Sequence, residues 1–344
     1  MFWSYRARGR SVASLAAIVV PLLALCALCT ADIGKSDQAL SAKPLTAETA
    51  AFLKHLAINQ NAPVYIRIFK EESELEVWKD RGDGRYVAVK TYPICNWSGT
   101  IGPKQTLGDH MAPEGFYAVG RDGLKPDSSY HLALNIGYPN ALDRTLGRNG
   151  DFIMVHGKCL SVGCFAMTDE YIEEIYAFVR EAIDGGQEKI PVHIFPFRMS
   201  DASMALHLGH AAADSWAPLK EAYDDFESAR LVPKTAACGK RYVVNPVWSA
   251  ALVEEPAAGA ECPAFMRRPP APLSRKAAKA LQSHPLTAQG QKTRTLHDIA
   301  YWDDAAAKAE MAAIKKREED RKVRRQADAQ RMTDTGGIKP MINP

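Results

Sequence analysis

Between residues 63 and 197 the chain repeats one pattern: short runs of alternating apolar residues, broken by glycine, proline or asparagine. Pro63 to Phe69 alternates, as does Leu75 to Lys79, and Gly82-Asp83-Gly84 turns the chain into a third run from Tyr86 to Ile94. Further runs follow at Gly115–Val119, His131–Ile136, Phe152–Val155 and Val192–Phe197. A period of two puts alternate side chains on one face, the pattern of a half-buried strand. The hairpin-like spacing early in the chain predicts a largely antiparallel sheet. Three stretches instead carry helical spacing. They are Thr46 to Gln60, Thr168 to about Ile183 (closed by Gly185-Gly186), and Ser215 to about Leu231, where Trp216, Leu219, Tyr223 and Phe226 share a face. The expected fold class is mainly β with few helices (α+β).

Composition bounds the rest. A hydrophobic share of 47% suffices for a sizeable core. Lysine and arginine total 43 against 40 acidic residues, too balanced for a nucleic-acid partner. The pattern divides the chain into a strand-rich domain at 60–198 and a helical extension at 199–248 packed on it. An Ala/Pro-rich linker and a charged, partly helical or disordered tail follow at 249–344. Residues 1–31 read as a secretion signal: Arg6, Arg8 and Arg10 precede an apolar run that ends in small residues near Ala31. The alternative is an uncleaved membrane tether, since the run approaches the ~20 residues that span a bilayer. Either way the remainder is expected outside the cytoplasm, in the periplasm.

That compartment sets the cysteine arithmetic. Removal of Cys26 and Cys29 with the signal leaves Cys95, Cys159, Cys164, Cys238 and Cys262. An odd number in an oxidising space leaves at least one thiol over. Cys164 is the candidate, with the other four supplying up to two disulfides in an order the sequence does not give.

Chemistry concentrates between Phe152 and Glu170. His156 ends an apolar run and is followed at once by Gly157; a short loop then delivers Gly163-Cys164 just ahead of a helix. A nucleophilic thiol needs a base or a charge favouring thiolate, because a cysteine of pKa ~8.5 is mostly protonated at neutral pH. His156 supplies that partner. Backbone N–H groups at Gly163 and Cys164 can serve an oxyanion, and the helix N-terminus adds partial positive charge. Other readings stand beside this one: a buried or disulfide-bonded Cys164, a Cys159–Cys164 bridge, or a zinc site that uses His156, Cys159 and Cys164 but lacks a fourth ligand and paired spacing.

The span His156-Gly157…Ser161-Val162-Gly163-Cys164 resembles the signature of the L,D-transpeptidase catalytic (YkuD-type) domain. Upstream blocks from Cys95 to Asp109, from Pro113 to Tyr117 and from Tyr138 to Asn140 resemble its YafK-like branch. The resemblance covers about residues 60–200. It implies a β-sandwich-like domain with Cys164 as the acylated nucleophile, His156 as base, Gly163 in the oxyanion loop and Ser161 in the Ser/Thr position of the motif. It also implies diaminopimelate-containing peptidoglycan stem peptides as substrate, and either L,D-transpeptidation or hydrolysis that releases peptidoglycan-linked protein such as an attached lipoprotein. Val162 stands where the main pattern has histidine, and Ala166 where an asparagine or arginine is common. Lys104, Tyr138 and Gly157 are expected substrate contacts, with turn chemistry and aromatic packing as the alternative for Lys104 and Tyr138. No metal or organic cofactor is implied. The competing class is a non-catalytic wall-binding or anchoring protein that keeps the fold.

Overall fold

The computed structural model describes residues 40–249, 255–281 and 285–287. The stretch read as a secretion signal and the charged tail lie outside the described residues. Strands β1 (Val64–Phe69), β2 (Glu74–Asp80) and β3 (Tyr86–Pro93) form the predicted antiparallel meander. They are followed by β4 (Asn96–Trp97), β5 (Gly115–Val119), β6 (Leu124–Lys125), β7 (Ala133–Asn135), β8 (Met154–His156), β9 (Phe165–Ala166) and β10 (Ile190–Phe195). The helices among them are α1 (Ala47–His55), α2 (Ala141–Thr145) and α3 (Asp169–Asp184). Then come α4 (Asp201–Leu206), α5 (Ala213–Ala229), a hairpin of β11 (Thr235–Cys238) and β12 (Arg241–Val244), and a ribbon of β13 (Pro246–Trp248) and β14 (Phe265–Arg267). Helix α6 (Arg275–Ala280) and strand β15 (Leu286–Thr287) close the described chain.

Two sheets carry the domain. The larger has the order β15-β3-β2-β1-β10-β5; the smaller has the order β4-β9-β8-β7-β6. Most pairs are antiparallel, as expected, but β1–β10, β8–β9 and β15–β3 pair in parallel, so both sheets are mixed. β1 and β10 are far apart in sequence, and hairpin spacing says nothing about such a pair. Strand β1 is buried along its whole length rather than on one face, being central and covered on both sides.

One face of the larger sheet shares a core with the smaller sheet and α3. Ile66, Ile68, Val77 and Val192 meet Val155, Phe165, Ile175 and Phe178 there. Each such side chain contributes about 1.5–3 kcal/mol on burial. The N-cap of α3 is Thr168, whose hydroxyl accepts from Tyr171 N. The opposite face buries Phe69, Phe195 and Phe197 against Trp216 and Leu219 of α5. Arg67, a polar position in the β1 alternation, lies under α5 at 1% exposure. It forks to Glu76 at 2.7 and 2.9 Å and reaches Glu227 of α5 at 2.7 Å. The paired charges make its burial tolerable and dock the helix.

The described part of the Ala/Pro-rich stretch is fastened rather than loose. A Cys238–Cys262 disulfide, the β13–β14 pairing and a Leu273 N–Ser228 O hydrogen bond of 2.8 Å hold it to the extension. Among the described residues no helix is long and apolar enough to cross a membrane.

Candidate active site

The smaller sheet brings His156 and Cys164 together. Strands β8 and β9 are parallel neighbours, with Val155 opposite Phe165 and His156 opposite Ala166. Residues paired across a sheet share a face, as do residues two apart on one strand. His156 and Ala166 therefore project to the same side, and Cys164 lies immediately before β9.

Residues 157–164 form the connecting loop, and five contacts fix its shape. Met167 N donates to His156 O at 2.6 Å and Cys159 N to Met167 O at 3.1 Å. Asp169, in the first turn of α3, accepts from Lys158 N at 2.8 Å. The Ser161 hydroxyl donates to Cys164 O at 2.6 Å. Finally, Cys159 is bonded to Cys95, which precedes the β4 strand that pairs with β9. That disulfide removes Cys159 both as a bridge to Cys164 and as a zinc ligand. Cys164 belongs to neither disulfide and is partly exposed. Among the described residues no cluster of three His, Cys, Asp or Glu side chains is placed to hold a metal ion.

The electrostatics keep the imidazole unprotonated. His156 is buried at 3% exposure and its Nδ1 lies 2.7 Å from Gly157 O. A carbonyl only accepts, so Nδ1 carries the hydrogen and Nε2 keeps its lone pair. Burial pushes the imidazole pKa down to about 4, partly opposed by the Gly157 carbonyl, so the ring is neutral at pH 7. The Tyr130 ring lies against it with centroids 4.5 Å apart. The Cys164 thiol points its hydrogen at Phe152 O, 3.5 Å away.

Glycine is required twice. Gly163 adopts φ +110°, which L side chains rarely take. A β-carbon on Gly157 would lie 2.5 Å from Asp169 Oδ1 and 3.0 Å from Tyr130 O. Gly157 is thus a packing position, not a surface open to a ligand.

The other expected substrate contacts are committed elsewhere. The Lys104 ammonium is buried and bound to Asp109 Oδ1 at 2.5 Å and Thr106 O at 2.9 Å, inside its own loop. The Tyr138 hydroxyl donates to Lys104 O and Asn149 O, both at 3.3 Å, from a buried position. Both follow the turn-and-packing alternative. Two contributors escaped the sequence reading. Lys70, fully buried, grips Gly102 O, Ala112 O and Glu114 Oε1 at 2.8–2.9 Å and so closes the 102–112 loop, whose Met111 borders Gly163. Phe152, at φ +52° and 64% exposed, aims its carbonyl at the thiol. An apolar run ending in a lone lysine was the only signal for Lys70, and nothing in the sequence marks a left-handed phenylalanine.

The two-sheet domain thus carries a buried His156 on β8 and a partly exposed Cys164 just ahead of the neighbouring β9. Residues 63–194 match the L,D-transpeptidase catalytic domain. The chain is 47% identical over 193 residues to YafK of Escherichia coli K12, assigned by name to the L,D-transpeptidases; the match spans 56% of this chain and 78% of YafK. The chain belongs to the L,D-transpeptidase family, a family of cell-wall enzymes. Among solved structures it is similar to the helical cell shape determining protein Pgp2 of Campylobacter jejuni at 22% identity and a TM-score of 0.32, covering 52% of this chain and 65% of Pgp2. It is also similar to Bd1075 of Bdellovibrio bacteriovorus at 18% identity and a TM-score of 0.29, covering 48% of this chain and 60% of Bd1075. The chain thus spans less than two thirds of either structure.

Proposed function

We propose that this protein performs cysteine-dependent acyl transfer on diaminopimelate-containing peptidoglycan stem peptides through a Cys164 thioester. The observation that carries the reading is a partly exposed thiol, outside both disulfides, at the start of the strand that pairs in parallel with the one bearing the neutral His156.

The steps follow from the groups present. Cys164 Sγ attacks the carbonyl at the L-centre of diaminopimelate as its proton passes to His156 Nε2. The carbonyl oxygen, now negative, draws on N–H groups of the Gly163-Cys164 turn. Collapse breaks the C–N bond, and the departing amine takes the proton from Nε2. An incoming amine or water then attacks the thioester, gives a proton to Nε2 and releases the thiol. An amine acceptor makes the protein a transpeptidase; water makes it an amidase that frees peptidoglycan-linked protein. Ser161 is a positioning residue here, acting through the Cys164 carbonyl.

Two disulfides within the described chain suit an oxidising compartment and support a periplasmic site, reached through residues 1–31 as a signal or tether. Residues 60–198 are the catalytic unit in this reading, with 199–248 packed on it.

The test is mass spectrometry of muropeptides from sacculi, with and without attached lipoprotein, after incubation with residues 32–344 or its Cys164→Ala variant. New cross-links between two diaminopimelates identify transpeptidation; released lipoprotein over intact stems identifies hydrolysis. Identical products from both proteins would refute the reading and leave the anchoring alternative.

A further inference from the structure

Away from Cys164, a cavity of about 490 Å³ opens between α5, the stretch from Leu142 to Arg148 and the β11–β12 hairpin. Every residue from 240 to 244 lines it. Successive side chains of a strand point to opposite faces, so a cavity touched by five consecutive residues runs along the edge of β12 rather than over one face. Among the described residues β12 pairs with β11 alone, and the backbone of residues 255–268 hydrogen-bonds to the hairpin only at its two ends, while Phe265 and Arg267 face it across the cavity. Gly239 N donates to Ala260 O and Lys240 N to Ala258 O at the turn; Arg268 N donates to Asn245 O beyond the strand. Among the described residues, no backbone hydrogen bond from that segment reaches residues 241–244.

The walls are apolar and the rim is cationic. Leu142, Pro218, Val243 and Phe265 contribute hydrocarbon, and Arg148, Lys240, Arg241 and Arg267 contribute positive charge. Two of the lining acids are already engaged: Glu114 by Lys70 and Trp216, and Glu221 by Arg267. Asp214 sits exposed in the first turn of α5. Lys240 and Arg241 are exposed and have no ion-pair partner among the described residues. Arg148 binds Asp143 through Nη1 at 2.9 Å, while its buried Nε has no hydrogen-bond partner. The wall that carries these charges is rigidly made. Gly239 and Lys240 both take left-handed φ values, +57° and +58°, as a tight hairpin turn requires, and the Cys238–Cys262 disulfide ties the turn to the neighbouring segment.

We propose that this cavity binds an extended acidic oligopeptide, which adds to the edge of β12 away from β11 with its carboxylates on the Arg148, Lys240 and Arg241 rim. An exposed strand edge offers main-chain hydrogen bonds to a peptide, and charged donors make the strongest contacts to carboxylates. Binding here does not depend on the chemistry at Cys164.

The experiment uses the full chain carrying Cys164→Ala, so that no turnover intervenes. The probe is a fluorescein-labelled hexapeptide of alternating alanine and glutamate with a free carboxyl end, read by anisotropy. Three comparisons accompany it: the glutamine-for-glutamate amide, the acidic peptide N-methylated at alternate amides, and inorganic phosphate as competitor at constant ionic strength. Saturable binding of the acidic peptide is expected, weakened at least tenfold by loss of charge, by N-methylation, and by the double variant Lys240→Glu/Arg241→Glu with an unchanged circular dichroism spectrum. Equal binding of charged and neutral peptides, or by parent and charge-reversed protein, would overturn the site. Full binding by the N-methylated peptide together with displacement by phosphate would overturn the peptide and leave a small-anion site.

Discussion

The Ser161 hydroxyl lies 2.6 Å from the main-chain carbonyl of Cys164 and donates to it. Ser161 is buried and three residues upstream, so this bond closes the turn that holds Gly163 and Cys164 in place. Replacing it leaves the nucleophile intact but loosely aimed. Ser161→Ala is expected to lose about 1 kcal/mol of stability, as one hydrogen bond. Its kcat should fall about 10- to 100-fold with KM little changed, since sub-ångström aim governs such steps. Ser161→Thr keeps the donor and should restore most of the loss. A Ser161→Ala enzyme with parental kcat would show that the clamp is dispensable.

His156 gives stability a specific pH dependence. Its folded pKa of about 4 lies below the ordinary 6.5 because burial opposes the charge. Between those values the unfolded chain takes up a proton that the folded chain refuses, so stability falls as pH drops from 6.5 toward 4 and is level above 6.5. The difference corresponds to about 3 kcal/mol. His193, also buried and held at about 3, adds a fall of the same sign. Denaturant titrations at pH 7 and pH 4 should show the parent losing about 3 kcal/mol more than His156→Gln. Equal losses in the two proteins would mean that His156 is solvated. At pH 7 the same variant should lose at least about 100-fold in turnover with its general base.

Much of this site could be read from the residues themselves, because His156, Ser161, Gly163 and Cys164 fall within one short span. Strand positions were legible for the same reason: alternation is a local property. What escaped depends on distant partners. The buried length of β1 follows from its pairing with the distant β10, and Arg67 alternates like a solvent-facing residue until Glu227 arrives from 160 positions away. Lys104 and Tyr138 look like ligand contacts in sequence, yet Lys104 is satisfied within its own loop by Thr106 and Asp109, and the Tyr138 hydroxyl by that loop once folding brings it near. The leftover thiol could be counted, but the pairing of Cys95 with Cys159 could not, since four cysteines allow three arrangements.

That pairing makes a thiol count diagnostic. A chain of residues 32–344 holds five cysteines, four of them in the two disulfides. Ellman titration of the native protein should find one reactive thiol, lost in Cys164→Ala, and five after denaturation and reduction. Two native thiols in Cys95→Ala, from Cys159 and Cys164, would confirm the partner; none would mean that the liberated Cys159 has captured Cys164. The double variant Cys95→Ala/Cys159→Ala should lose about 2–4 kcal/mol.

The two glycines flanking the loop fail in different ways. Gly163 sits at φ +110°, with open space for a methyl group: the nearest atom, Met111 O, would be 3.4 Å away. Alanine there meets conformational strain rather than a clash, so the turn should flip and misdirect its N–H groups. Gly163→Ala is expected to cost about 1–3 kcal/mol and about 100- to 1000-fold in kcat, as for a lost oxyanion donor. Gly157 is unstrained but crowded, and a β-carbon 2.5 Å from Asp169 Oδ1 must break the Asp169–Lys158 contact that anchors the loop to α3. Gly157→Ala should therefore show the larger fall in Tm. Part of its lost activity should return at low temperature, where the folded fraction recovers, while the loss in Gly163→Ala persists. Paired melting curves and initial rates at 10 and 37 °C separate the two. A Gly163→Ala enzyme that recovers on cooling would assign that glycine to stability instead of the oxyanion turn.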